Sequence, residues 1–226
     1  MKILIVTATW KESEPLRQAL GDCIPVENIL FRYRLNDKVI DLLVTGTGMV
    51  STAYAMGQLT GRQKYDLAIN AGICGSFNRN IRLGEVVNVV ADSFADMGAE
   101  DNDSWLPMSK LGSENQDDLL SGDGTFNSNP GRFSVLLNHL RPVNGATVNT
   151  VHGNAESIRR FSVRTDAGIE TMEGAAFMFA LTGSDTKFIE LRSVSNYVEP
   201  RNTDNWNIPL AIGELGVELV RLLKDL

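Results

Sequence analysis

An α/β fold, with helices alternating with strands around a mixed sheet, is what the sequence predicts. Three observations carry it. Ile3–Ala8 and Leu67–Ala71 are continuous apolar runs, the pattern of strands covered on both faces. Met49–Leu59 and Ile208–Leu223 place apolar residues at helical spacing. Strands and helices follow one another from end to end, with no internal repeat and no linker long enough to separate domains. At about 150 residues per domain, 226 residues allow one large domain or two small ones. Without a linker, residues 1–226 read as a single domain, long enough to bury a full core without disulfides or metals.

Along the chain, Ile3–Ala8 opens as a buried strand. It is too short to span a membrane and runs into Trp10-Lys11-Glu12 without a cleavage site. Ser13–Leu20 follows as a short helix, with Ser13 as N-cap and Pro15 in the first turn. Phe31–Leu35 and Val39–Val44 read as strands joined at Asn36-Asp37. Thr45-Gly46-Thr47-Gly48 leads into the helix Met49–Leu59, and Leu67–Ala71 is a strand ending in Gly72-Ile73-Cys74-Gly75. Glu85–Phe94 is strand-like. Residues 96–131, polar and rich in Gly, Asn, Asp and Ser, read as a long loop or an insertion. Phe133–Leu140 reads as a short helix, Ala146–Val151 as a strand, Met172–Leu181 as a helix, Phe188–Val194 as a strand and Ile208–Leu223 as the closing helix.

Composition narrows the function. A formal net charge of −7 speaks against a nucleic-acid partner, which needs clustered Lys and Arg, and leaves a small nucleoside open. The two cysteines, Cys23 and Cys74, lie among apolar or small neighbours, and no zinc-type Cys/His spacing exists. A reduced, cytoplasmic protein without a membrane partner is the expectation.

The glycine-rich turns admit two readings. Gly46-Thr47-Gly48 follows a strand and opens a helix, but the G-x-G-x-x-G spacing fails at Ser51 and no Gly-Lys-Ser/Thr follows. A tight turn is the plain reading; backbone N–H groups meeting a sugar or an anion is the other. Gly72 and Gly75 would let a flat ligand approach the backbone, and ligands gather at the carboxyl ends of strands in open α/β sheets. Three polar residues stand near such ends. Singly, Glu12 reads as a solvated turn residue, Glu173 as a first-turn helix acid and Asn196 as a turn residue. Together they stand where an α/β site would be built.

At these residues the chain resembles the nucleoside phosphorylase and nucleosidase family and, within it, the futalosine hydrolases. The ordered motifs are Ala8-Thr9-x-x-Glu12-x-x-Pro15, Thr45-Gly46-Thr47-Gly48, Asn70-Ala71-Gly72-Ile73-Cys74-Gly75-Ser76-Phe77, Thr150-Val151-His152-Gly153, Met172-Glu173-Gly174-Ala175-Ala176, and Arg192-x-Val194-Ser195-Asn196-x-Val198-Glu199-Pro200-Arg201 with Trp206. The resemblance covers nearly the whole chain. It implies a central mixed sheet or distorted barrel flanked by helices, a homodimer or larger homo-oligomer, a small nucleoside substrate, and no metal or organic cofactor. Carried over, Glu12 would hold and activate the attacking water. Glu173 would bind the ribose hydroxyls beside the Met172 backbone, and Asn196, next to Ser195, would hold the purine. Gly72, Ile73 and Gly75 would line base and sugar. Trp206 would cover the 5′ substituent, and Asp96–Met108 would reach a partner subunit's site.

The chemistry asks for such residues. Cleaving an N-glycosidic bond builds positive charge on the ribose and negative charge on the purine, and catalysis stabilises both as they develop. Asn196 departs from the adenosine-type nucleosidases of the family, which carry Asp there. An amide offers a donor and an acceptor, which favours a 6-oxopurine, hypoxanthine, as the leaving base. It cannot act as a general acid, and the sequence names no other proton source. The aromatic carboxylate of futalosine would stack on Trp206 and pair with Arg201. Arg201 reads equally as an ion-pair partner of Glu199 or Asp204, and His152 as a substrate contact or a satisfied structural histidine. A phosphorylase would add cations for phosphate; Lys11 and Arg17 lie near Glu12 without the Gly-rich turn and Arg of that pattern. A methylthioadenosine or adenosylhomocysteine nucleosidase is disfavoured by Asn196 and Trp206. A nucleoside sensor without catalysis is disfavoured by the presence of both Glu12 and Glu173.

Overall fold

A computed structural model of the chain describes residues 1–102, 104–107, 110–111 and 124–226. The strand β1 (Lys2–Thr7) lies inside the sheet because it is apolar on both faces. Its side chains alternate in direction. Leu4 and Val6 join a core with Ala55 and Met56 of α2 (Met49–Thr60) and Phe177 of α4 (Gly174–Leu181). Ile3 and Ile5 join another with Leu16 of α1 (Glu14–Leu20) and Leu215 and Leu219 of α5 (Ile208–Asp225). The sheet is thus covered by α2 and α4 on one face and by α1 and α5 on the other.

On either side β1 pairs in parallel with β4 (Lys38–Val44) and β5 (Leu67–Ser76). Beyond β4 come β3 (Leu30–Leu35) and the exposed β2 (Ile24–Glu27), both antiparallel. Beyond β5 the sheet curls on itself. β5 pairs with β12 (Lys187–Tyr197), β12 with β6 (Val86–Phe94), β6 with β10 (Arg141–Thr147) and β10 with β11 (Ile169–Thr171). β11 then returns to β5 and closes a five-stranded barrel. Strands β7 (Gly98–Asp101) and β8 (Ser104–Pro107) form a separate hairpin, β9 (Thr125–Asn127) adds to β6, and α3 (Ala155–Ser162) precedes β11. No helix among the described residues is long and apolar enough to cross a membrane.

The turn expected at Asn36-Asp37 is present: Leu35 faces Lys38, and Asn36 takes φ 54°, the left-handed region asparagine tolerates. Other expectations are corrected. β5 does not end at Ala71 but runs through both glycines, and β12 runs through Ser195 and Asn196 with a bulge between Val194 and Asn196. Glycine inside a strand marks close approach as readily as a turn. Ser13 sits at the N-terminus of α1 without capping it; its hydroxyl donates to Trp10 O at 3.0 Å. Phe133–Leu140 is replaced by a 3₁₀ segment, Gly131–Leu137, and the strand expected at Ala146–Val151 lies earlier, at β10. Its ladder with β11 ends at Thr147; Val148 leaves to pack with Phe161. β7, β8 and β9 occupy some of the expected 96–131 loop, the rest of which falls partly outside the described residues.

Candidate active site

Glu12 lies in the turn after β1, buried rather than solvated. Its Oε2 accepts from Thr9 N and Thr9 Oγ1, both at 2.9 Å, and its Oε1 accepts from Ile73 N of β5 at 3.1 Å. Three donors fix one carboxylate. Gly72, beside it, has no side chain for a physical reason: a Cβ there would strike Arg192 Nη1 and lie 2.8 Å from Glu12 Oε1.

Arg192, in the middle of β12, is 1 % exposed and links β12 to β5 and to the residue before α4. Its Nε donates to Glu190 Oε1 at 2.7 Å, its Nη2 donates to Asn70 Oδ1, and its Nη1 lies 3.7 Å from Glu173 Oε2. Burial opposes the guanidinium charge, but Glu190 and Glu173 outweigh it and raise its pKa.

Glu173 is not a first-turn acid of α4; it precedes the helix, and its Oε1 accepts from Gly48 N at 2.9 Å. Gly48, at φ 99°, opens α2, so the Thr45–Gly48 turn does present an N–H to an anion, and that anion is the protein's own carboxylate. Helix N-termini favour this. Burial pushes the Glu173 carboxyl up, Arg192 and the Gly48 N–H pull it back, and the charge of Glu12 pushes it up again.

Behind Arg192 two fully buried carboxyls face each other across Gly174: a Cβ on Gly174 would collide with Asp92 Oδ2 and with both oxygens of Glu190. Thr147 Oγ1 donates to Asp92 Oδ1 at 2.9 Å, whereas Glu190 Oε2 has no hydrogen-bond partner among the described residues. Burial and the facing Glu190 push the Asp92 carboxyl well above its ordinary range. Two carboxylates so placed cannot both ionise cheaply, which holds the pair's protons to higher pH.

Further along the same strands, Gly75 is the cross-strand partner of both Asn196 on β12 and Glu170 on β11. A Cβ on Gly75 would lie 3.3 Å from Asn196 Nδ2 and 3.0 Å from Val198 Cγ2. The Asn196 Oδ1 accepts from Ser195 Oγ at 2.8 Å, and its Nδ2 donates to Tyr197 O at 3.1 Å. Trp206 is brought alongside because Asn207 N donates to Ser195 O at 2.8 Å. Arg201 stacks on the Trp206 ring at 4.8 Å and, among the described residues, makes no ion pair; Glu199 is taken by Arg79 and Asn205. His152 donates its N–H to Glu170 Oε1 at 3.0 Å, and its Nδ1 lies 2.6 Å from Glu170 Oε2. Met172 is half-buried between β11 and α4.

The structure therefore gathers Glu12, Gly72, Ile73 and Glu173 around Arg192 in the middle of β5 and β12, and Gly75, Ser195 and Asn196 near the C-terminal ends of those strands, with Arg201 and Trp206 just beyond. A groove of about 610 Å³ lined by Ile29, Leu43, Tyr54 and Arg62 lies away from both and touches none of these residues. Sequence reasoning gave no role to Arg192, Glu190, Asn70, Asp92 or Glu170. One signal was present: Glu190 and Arg192 stand two apart in an apolar strand, which puts both on one face, and charged residues are almost never fully buried unless paired.

The model of the Phosphorylase superfamily matches residues 2–223. A futalosine hydrolase of Acidothermus cellulolyticus is 31 % identical, covering 95 % of this chain and 87 % of that protein. One of Streptomyces coelicolor is 32 % identical, covering 95 % and 92 %. The native structure of futalosine hydrolase of Helicobacter pylori superposes with a TM-score of 0.84 at 15 % identity, covering 100 % of this chain and 98 % of that one. With a closed barrel and a family match over almost its whole length, the chain belongs to the Phosphorylase superfamily.

Proposed function

We propose that the chain, acting as one catalytic unit over residues 1–226, hydrolyses the N-glycosidic bond of futalosine, releasing hypoxanthine and dehypoxanthine futalosine in menaquinone biosynthesis by the futalosine route. The observation that carries this reading is the pairing of two buried carboxylates at one end of the site with a neutral amide at the other. Glu173 holds the ribose hydroxyls beside the Met172 backbone and faces the sugar as its positive charge grows. The surplus of buried carboxyls over the single guanidinium of Arg192 favours that cation. Glu12, held by Thr9 and Ile73, takes a proton from the attacking water, a contribution of about 10²–10⁴-fold. Asn196, with Ser195 at its side, turns its amide to a 6-oxopurine, while Gly72, Ile73 and Gly75 leave space for base and sugar. Trp206 and Arg201, which has no ion-pair partner among the described residues, suit the aromatic carboxylate beyond the 5′ carbon. The reaction needs no cofactor, and the enzyme would work in the cytoplasm as a homodimer or larger homo-oligomer.

Purified protein incubated with futalosine in phosphate-free buffer should release hypoxanthine and the free sugar product. Release that begins only when phosphate is added would make the chain a phosphorylase, and no release at all would refute the assignment.

A further inference from the structure

The proposed reaction leaves one proton without a donor, and this inference rests on that reading. The departing purine must be protonated, and an asparagine amide has no acidic proton to give. The structure points to the donor across Gly75. Gly75, the partner of Asn196 on one side and Glu170 on the other, puts no side chain between them: a Cβ there would be 3.0 Å from Val198 Cγ2, 3.3 Å from Asn196 Nδ2 and 3.8 Å from Glu170 Oε1. A planar base lying against this bare backbone would have the Asn196 amide towards one edge and the Glu170–His152 pair towards another. The carboxylate accepts from the His152 backbone N–H at 3.0 Å and stands 2.6 Å from Nδ1. A carboxylate only accepts, so Nδ1 carries the hydrogen. Among the described residues Nε2 makes no hydrogen bond, and the ring is seated against Phe161 at 4.3 Å between centroids. The loop itself is tied to the segment after β12 by Arg201, whose backbone N–H donates to Gly153 O at 2.9 Å.

We propose that His152, positioned by Glu170, is the general acid that protonates the leaving purine. The imidazolium gives its Nε2 proton to a basic ring nitrogen of the purine as the C1′–N9 bond breaks and its electron pair passes to the base. Water adds its hydroxyl to C1′ and leaves its proton on Glu12. Solvent then carries that proton away and returns one to His152, so the cycle closes without a redox partner. The titratable and charged groups around the ring are Glu170 from β11, Cys74 facing Glu170 from β5, Arg164 stacked on Phe161 at 5.2 Å at the end of α3, and Arg201 from the segment after β12. Burial pushes the Glu170 carboxyl up and the bonds from His152 pull it back.

The test is His152→Gln, read on two substrates and over pH. Futalosine turnover should fall about 10²–10⁴-fold and lose the alkaline limb of its pH profile. Turnover of p-nitrophenyl β-D-riboside, whose leaving group departs unprotonated, should stay within about threefold of the native enzyme. Glu170→Gln should move the alkaline limb to lower pH. Equal losses of His152→Gln on both substrates, or an unchanged alkaline limb, would overturn the proposal. If the native protein leaves futalosine intact, the function reading fails, and the same two-substrate ratio taken on inosine decides His152 separately. A native protein that cleaves no purine nucleoside overturns both.

Discussion

The two ends of the site are built on opposite principles. At the Glu12–Glu173 end, every carboxylate bond reaches across the fold or locks a turn: Gly48 to Glu173 spans 125 positions and Ile73 to Glu12 spans 61. Charges are placed in advance, so little rearrangement is needed when a cation forms. At the Asn196 end, the amide bonds, among the described residues, only to its sequence neighbours Ser195 and Tyr197. Those bonds are neutral, local and worth only about 0.5–1.5 kcal/mol each, so a purine can replace them. On the proposed reading, the chain is rigid where charge would develop and keeps an adjustable group where the base would be recognised.

Three substitutions break or sharpen that contrast. The largest effect belongs to the rigid end. Glu12→Gln turns an NH₂ toward Thr9 or Ile73 donors and removes the base, so kcat for hypoxanthine release should drop about 10²–10⁴-fold with KM little changed; steady-state kinetics decide it, and a variant of native kcat would show that Glu12 is not the base. Next comes the adjustable end. Asn196→Asp should swing the preference from futalosine towards 6-amino-futalosine by about 10–100-fold, the worth of one hydrogen bond to a charged group. Competition between the two nucleosides measures it, and a native enzyme that already prefers the amino form would invert the reading of this position.

The smallest effect lies in the support behind Arg192. Asp92 is raised above its ordinary value of 3.8 by burial and by Glu190. The native state therefore holds this proton to higher pH than the unfolded chain does. Stability from this group is whole below the unfolded pKa and declines as pH rises towards the folded one, by about 1.4 kcal/mol per pH unit for one proton. Asp92→Asn should flatten the decline by one proton, seen by comparing denaturant midpoints at about pH 5 and about pH 8. An identical slope in native and variant protein would mean that Asp92 is ionised in the fold.

Much of the architecture could be read in one dimension. β1, α2, α5 and the Asn36-Asp37 turn follow from apolar period and turn chemistry, which are local properties. Strands such as β2, exposed throughout, and β11, three residues long, carry no period to read; pairing alone makes them strands. Glu12, Glu173 and Asn196 were legible as motif residues at strand ends. Their settings were not. Whether Gly72 ends a strand or makes room for a guanidinium depends on Arg192, far along the chain. Whether Glu173 caps its own helix or binds the start of α2 depends on where Gly48 lies. Whether Asp92 keeps its proton depends on Glu190 across Gly174. Periodicity and turn preference act between neighbours in sequence, so the residues themselves determined the elements. Burial, charge pairing and proton affinity act through space, and only the closed barrel decided those.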